Sequence, residues 1–274
     1  MSSETDLESF ARLVESISPW LDQVVIIGGW AHRLHRLHPT ARPLDYPPLA
    51  TLDTDVAVPT KLELKDQNIR ERLLANGFRE EFLSDHRPPV THYLLRDSDS
   101  AFYAEFLTPL VGSEYGRDGK RKATLTVSGV QSQKLRHLGI LLNTPWQLVV
   151  DSSSGFPLLE ARRLQVPNPT SFLAQKILIH SKRSQEDRAK DILYMHDTLE
   201  MFSEKLGQLS EIWQKVLRPT LNAKSIRAVE RAPFDLFGQK DDLLREASRM
   251  AIGRALSAQA IQESCALGLS QLFR

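Results

Sequence analysis

The sequence predicts an α+β fold: a mixed sheet with helices over residues 1–167, followed by an α-helical domain over residues 168–274. Three observations predict it. Between residues 20 and 167, short β-branched or alternating runs recur, separated by Gly, Pro, Asp and Ser. Beyond Pro167 the apolar residues fall instead at steps of three and four. The composition, 41% hydrophobic and 25% charged, is that of a globular protein and excludes a disordered or fibrous chain.

Thr5 and Glu8 have the spacing of a capping box and open a helix over 5–18. Val24 to Ile27 is a β-branched run, hence a buried strand. Gly28-Gly29 ends it as a turn, and Trp30, Leu34 and Leu37 then share one face of a second helix. Pro39, Pro43, Pro47 and Pro48 make the next stretch a loop. "TLDTDVAVP" (51–59) alternates Leu52, Thr54, Val56 and Val58 against Asp53, Asp55 and Ala57, which is the period of a strand. Thr60 and Glu63 form a second capping-box pattern, for a helix that Gly77 stops. "GFREEFL", "VTHYLLR", "AFYAEFLTP", "KATLTVSG", "WQLVVDS" and "ARRLQVP" complete the expected sheet. Helical periodicity then runs from residue 168, interrupted around Pro219 and "APFDLFGQ".

Lys plus Arg (35) nearly balances Asp plus Glu (34), so nucleic-acid binding needs a local patch rather than an overall basic field. Cys265 alone excludes a disulfide framework and a cysteine-rich zinc site; in the apolar stretch "ESCALGLSQLF" it is expected to be a buried structural thiol. The N-terminus has early acidic residues and no basic segment leading into an apolar core, and no run of about 18 apolar residues occurs. A cytoplasmic protein without a membrane span is the expectation.

Alternation places Asp53 and Asp55 on the same side of one strand, about 7 Å apart. Two such carboxylates repel and resist burial unless a cation lies between them, and magnesium takes oxygen ligands of this kind together with substrate phosphates. The alternative is a solvent-facing polar edge of a half-buried sheet. Three neighbours bear on the choice. Gly28-Gly29 lets the backbone approach a ligand, and the following helix offers free N–H groups to phosphate. Glu105 sits among apolar residues of "AFYAEFLTP", where a carboxylate needs a partner. Lys176 and Asp191 fall on successive helices with Arg183, Arg188 and Lys190 between them.

Together, Gly-Gly, D-x-D, a later acidic strand residue, and a lysine helix preceded by "VPNP" with a downstream "KD" helix resemble the polymerase-β-like nucleotidyltransferase superfamily. Within it they look like the abortive-infection nucleotidyltransferase toxins of type IV toxin/antitoxin systems. The resemblance spans roughly residues 23–197. It implies a nucleotidyltransferase-like domain over 1–167 and transfer of a nucleotide from an NTP to an acceptor hydroxyl, in some relatives at the 3′ end of tRNA, with an antitoxin as partner. Gly28 and Gly29 would be the phosphate turn. Asp53, Asp55 and Glu105 would be the catalytic carboxylates and the ligands of Mg2+ or Mn2+, and Lys176 and Asp191 would lie by the nucleotide. Gly29 stands where the superfamily has serine, so backbone N–H groups must suffice there. The proline-rich stretch lengthens the spacing from the turn to D-x-D, as an inserted loop over the mouth of the site or a degenerate site would.

His32, His35 and His38 recur at three-residue spacing, which drifts around a helix and argues against a metal cluster. His86, His92, His137, His180 and His196 are scattered without ligand spacing. Two basic clusters, "GRDGKRK" (116–122) and "KSIRAVER" (224–231), offer contacts to a phosphate backbone or are solvated faces. Two alternatives keep the fold: transfer to a small molecule or protein hydroxyl, and a nucleotide-binding or interaction module without turnover.

Overall fold

The computed structural model describes residues 4–83, 90–95, 102–113, 115, 123–239 and 241–274. The basic cluster 116–122, His86 and the Thr5 side chain lie outside the described residues. By its internal contacts the chain divides into two compact units: residues 1–37 with 48–167, and residues 38–47 with 168–274.

The first unit opens with α1 (Glu4–Ser16) and β1 (Val25–Ile27), which runs directly into α2 (Gly28–His35). A separate turn at the two glycines was expected; instead they are the first residues of the helix, after an extended Ile27. β2 (Asp53–Ala57) follows. The helix expected to open at Thr60 and Glu63 and stop at Gly77 opens later: α3 (Ile69–Ala75) starts about two turns further on, at a capping box formed by Asn68 and Glu71. The Glu63 backbone is taken by tertiary partners instead: its N–H donates to Gln23 Oε1 at 3.0 Å and its carbonyl accepts from Trp20 Nε1 at 3.1 Å. Such bonds compete with helix formation for the same groups.

β3 (Phe78–Leu83), β4 (Val90–Leu95), β5 (Tyr103–Pro109), β6 (Thr124–Val127) and β7 (Val130–Leu135) complete a seven-stranded sheet of order β1-β2-β5-β4-β3, with β7 pairing β5 and β6 pairing β7. The sheet is mixed: β1 runs antiparallel to β2, and β2 parallel to β5. β8 (Trp146–Val150) and β9 (Arg162–Val166) were expected in the same sheet but form a separate antiparallel pair.

The two faces of the main sheet differ in chemistry. On one, Val56, Ala104, Phe106 and Tyr93 are buried, and Phe102 meets the edge of Trp30 at 6.3 Å. Trp30 of α2 stacks in turn on Phe10 of α1 at 4.0 Å, so the helices seal this side. On the other face Val25, Ile27, Ala57 and Leu107 pack against Leu138 and Leu141. That apolar cover lies at the C-terminal ends of β2 and β5. Their N-terminal ends carry Asp53, Asp55 and Glu105 on the same face, only partly buried.

The second unit is helical: α4 (Pro169–Ile179), α5 (Gln185–Met201), α6 (Leu206–Ile212), α7 (Ala223–Asp235), α8 (Asp242–Met250) and α9 (Ala258–Leu272). Asn168 caps α4, its Oδ1 accepting from Ser171 N–H at 2.9 Å, and Pro169 occupies the first turn, where no N–H is needed. Pro219 separates α6 from α7 as expected, whereas Pro233 lies inside α7 near its end. Cys265 is fully buried in α9, and burial pushes its thiol up. No described helix is long and apolar enough to cross a membrane.

Candidate active site

The site follows from sheet register. Asp53 pairs with Tyr103 and Asp55 with Glu105 across parallel strands, while Ile27, the last residue of β1, pairs with Asp55. The chain therefore leaves β1 beside the Asp55 side chain. Gly28 takes φ +66, and a Cβ built there would lie 2.4 Å from Asp55 Oδ2. Glycine is favoured at this position by the backbone conformation, and any Cβ would in addition force the Asp55 carboxylate to move. Gly29 follows in the first helical turn, and Ile27 at the N-cap has no side-chain acceptor for the helix's leading N–H groups.

Asp53 and Glu105 are each held from the side. Thr51 Oγ1 donates to Asp53 Oδ1 at 2.7 Å. His92 Nε2, from β4, lies 2.6 Å from Glu105 Oε1, a separation that requires a proton between the two atoms. The His92 ring stacks on Tyr103, centroids 4.1 Å apart and planes 16° from parallel. Burial, reinforced by the charge of Asp53, pushes the Glu105 carboxyl up to about 7. The Tyr103 phenol is raised by burial and then by Asp53, Glu105 and Asp55, so the fields of all three acids meet at one ring.

Glu105 has a measurable consequence for stability. Its value in the folded protein lies above the ordinary 4.5. The stability it contributes is thus full below about pH 4.5 and is lost as pH rises through about 7. Glu105→Gln removes that loss. Relative to the parent, the variant is expected to gain stability in chemical denaturation as pH rises from about 4.5 through about 7.

Lys176 and Asp191 meet in the second unit, Nζ to Oδ1 at 2.6 Å, with their side chains 7% and 0% exposed. Arg183 Nε lies 3.3 Å from the other Asp191 oxygen, and the Lys176 ammonium sits over the Tyr194 ring at 4.9 Å. Asp191 is therefore not in a surface pair with its neighbour Lys190, the other assignment open to its helix position. Truncating one member of a buried pair strands the other. Lys176→Met is expected to cost about 3–5 kcal/mol in a denaturant titration, and a second change, Asp191→Leu, to recover most of it.

Among the described residues, the one set of three His, Asp or Glu side chains whose donor atoms all lie within 4.8 Å of one another is His196, Asp197 and Glu200 on α5. Sequence spacing gave no sign of it. Its charge is already matched: Arg254 Nη1 lies 2.7 Å and His196 Nδ1 3.0 Å from Asp197 Oδ1, and Tyr46 donates to Glu200 Oε2 at 2.8 Å. The Arg254 guanidinium also covers the Tyr46 ring at 3.8 Å. The three sheet carboxylates do not meet the 4.8 Å spacing, but their donor set is all oxygen, the set a hard divalent cation prefers, and the missing side chain of Gly28 lets the Asp55 carboxylate lie against the start of α2. His32 and His35 are buried, His35 Nε2 contacting the Pro167 carbonyl at 2.7 Å, and His38 pairs with Thr40. These three form no metal cluster.

A protein-family model described as "Nucleotidyltransferase" matches residues 5–218, which include every residue of the sheet site and the Lys176–Asp191 pair. No curated protein and no solved structure matches the chain significantly.

Proposed function

The chain belongs to this nucleotidyltransferase family, and from that premise we propose that it transfers a nucleoside monophosphate from an NTP to an acceptor hydroxyl, using Mg2+ or Mn2+ held by Asp53, Asp55 and Glu105. The observation that supports this most is the contact of Asp55 with Gly28: a carboxylate and the start of a helix share one small space, where a cation and a phosphate would be needed together. The acceptor hydroxyl gives up its proton, for which Glu105 is the assigned acceptor, as its oxygen forms a bond to the α-phosphorus; the bond from that phosphorus to the bridging oxygen breaks, and pyrophosphate leaves. Bound divalent cations supply charge stabilisation of the attacking and leaving oxygens. The protein's own share is positioning. Asp53 and Asp55 present their oxygens from one strand, Glu105 adds a third carboxylate from the next, and the Gly28-Gly29 backbone N–H groups receive phosphate oxygens. Lys176 is assigned to triphosphate charge, with Asp191 as its support.

RNA, and specifically the 3′ end of tRNA, is the proposed acceptor. Lys224, Arg227 and Arg231 are exposed on α7, where they suit a phosphate backbone. The resemblance to abortive-infection toxins points to the same acceptor, to action as a toxin, and to a cognate antitoxin as partner. Incubation with each labelled NTP, magnesium and total RNA, beside Asp55→Ala, tests the assignment. Label is expected in RNA with the intact chain alone, and its incorporation is expected to fall steeply between 50 and 200 mM salt, by about 10³-fold if some six phosphates are contacted. Salt-insensitive transfer to a small molecule or a protein would replace RNA as acceptor; undiminished label with the variant would remove the site.

A further inference from the structure

His92 stands at the site without a role in the transfer just described. It comes from β4, whose antiparallel register with β5 pairs Leu94 with Tyr103 and brings the next same-face residue, His92, to Glu105. Across β3 its register partner is Glu81, which is exposed. The ring is held twice: its plane lies on Tyr103, and Nε2 meets Glu105 Oε1 at 2.6 Å, with the two side chains 15% and 19% exposed. A surface ion pair between flexible side chains has neither the stacking nor the burial.

We propose that His92 is a positioning residue for the cation site: it fixes one oxygen of Glu105 and so sets the rotamer in which the other faces the cation held with Asp53 and Asp55. The proposal rests on the assignment of those three carboxylates as ligands. Its physical basis is entropic. A glutamate has three rotatable bonds, and a free carboxylate on β5 would have to be ordered by the cation itself, whereas one already anchored by a stacked imidazole binds with that cost removed. Tyr103 is the rigid base of the arrangement, and the strand pairing of β4 with β5 sets the distance.

Mn2+ binding followed by its EPR signal, without NTP or acceptor, tests this on the full chain. His92→Phe keeps an aromatic ring for Tyr103 and removes the nitrogen; His92→Gln returns a side-chain donor. The first is expected to weaken Mn2+ binding about 10–100-fold, and the second to restore much of it, with thermal unfolding midpoints of the soluble variants similar to the parent's. Asp55→Asn identifies which bound Mn2+ belongs to the sheet. Should His92→Phe fail to fold, His92→Asn, whose shorter amide stops short of Glu105, takes its place. Parental affinity in His92→Phe or its substitute overturns the positioning role, as does His92→Gln binding no better than His92→Phe. An intact chain that binds no Mn2+ removes the carboxylate site itself, and the inference with it.

Discussion

Gly28→Ala is expected to reduce nucleotidyl transfer by about 100-fold or more, far beyond its effect on folding. A methyl at residue 28 meets Asp55 Oδ2 at 2.4 Å, so either the carboxylate rotates or β1 shifts against β2. Displacements of about 1 Å at a reacting centre cost on the order of 10²-fold in rate. The backbone adds its own penalty, since φ +66 in a residue with a Cβ costs about 1–2 kcal/mol. Circular dichroism should show a folded chain with a lowered melting temperature, and a labelled-NTP assay should show little transfer. Gly29→Ala is the control: Gly29 lies outside the left-handed region, so a smaller loss is expected there.

Asp55→Asn carries the other large effect, with the opposite sign on stability. Loss of one ligand charge is expected to lower transfer by about 10³-fold, the scale on which a single preorganised electrostatic contact acts in catalysis. The folded protein is expected to be more stable in a denaturant titration, because removal of one of three neighbouring acids relieves like-charge repulsion. Under the same change the Glu105 value is governed by burial and by Asp53, so its carboxyl stays raised. A variant that loses activity by unfolding would show the reverse stability change.

How far the sequence led depends on the residue. The same-sidedness of Asp53 and Asp55 was legible because a two-residue period survives in any strand, and the paired register with β5 adds Glu105 to the same face. The nature of the Gly28 requirement was not legible: a glycine pair reads as a turn, whereas here the helix begins at Gly28 and the missing Cβ makes room for a side chain 27 residues further on. His92 was passed over because its partner is reached only through strand pairing, which spacing along the chain does not encode. The helix expected at Thr60 failed for a related reason. A capping box is a local signal, and the Gln23 and Trp20 side chains that claim the Glu63 backbone come from about 40 residues away. The Lys176–Asp191 pair was visible only as two residues on successive helices; that each buries the other's charge required the packing of α4 against α5.

Among the described residues, two clusters have donors for a divalent cation, and they lie on separate elements: the sheet acids at residues 53, 55 and 105, and His196, Asp197 and Glu200 on α5. Fe2+ substituted for Mg2+, with peroxide and ascorbate added, cleaves the backbone where the metal sits, and mass spectrometry of the fragments locates it. Cuts near Gly28, Asp53 to Asp55 and Glu105 that vanish in Asp55→Asn are the expected result. Cuts confined to 196–200, unchanged in that variant, would contradict the assignment of the sheet carboxylates as the metal site.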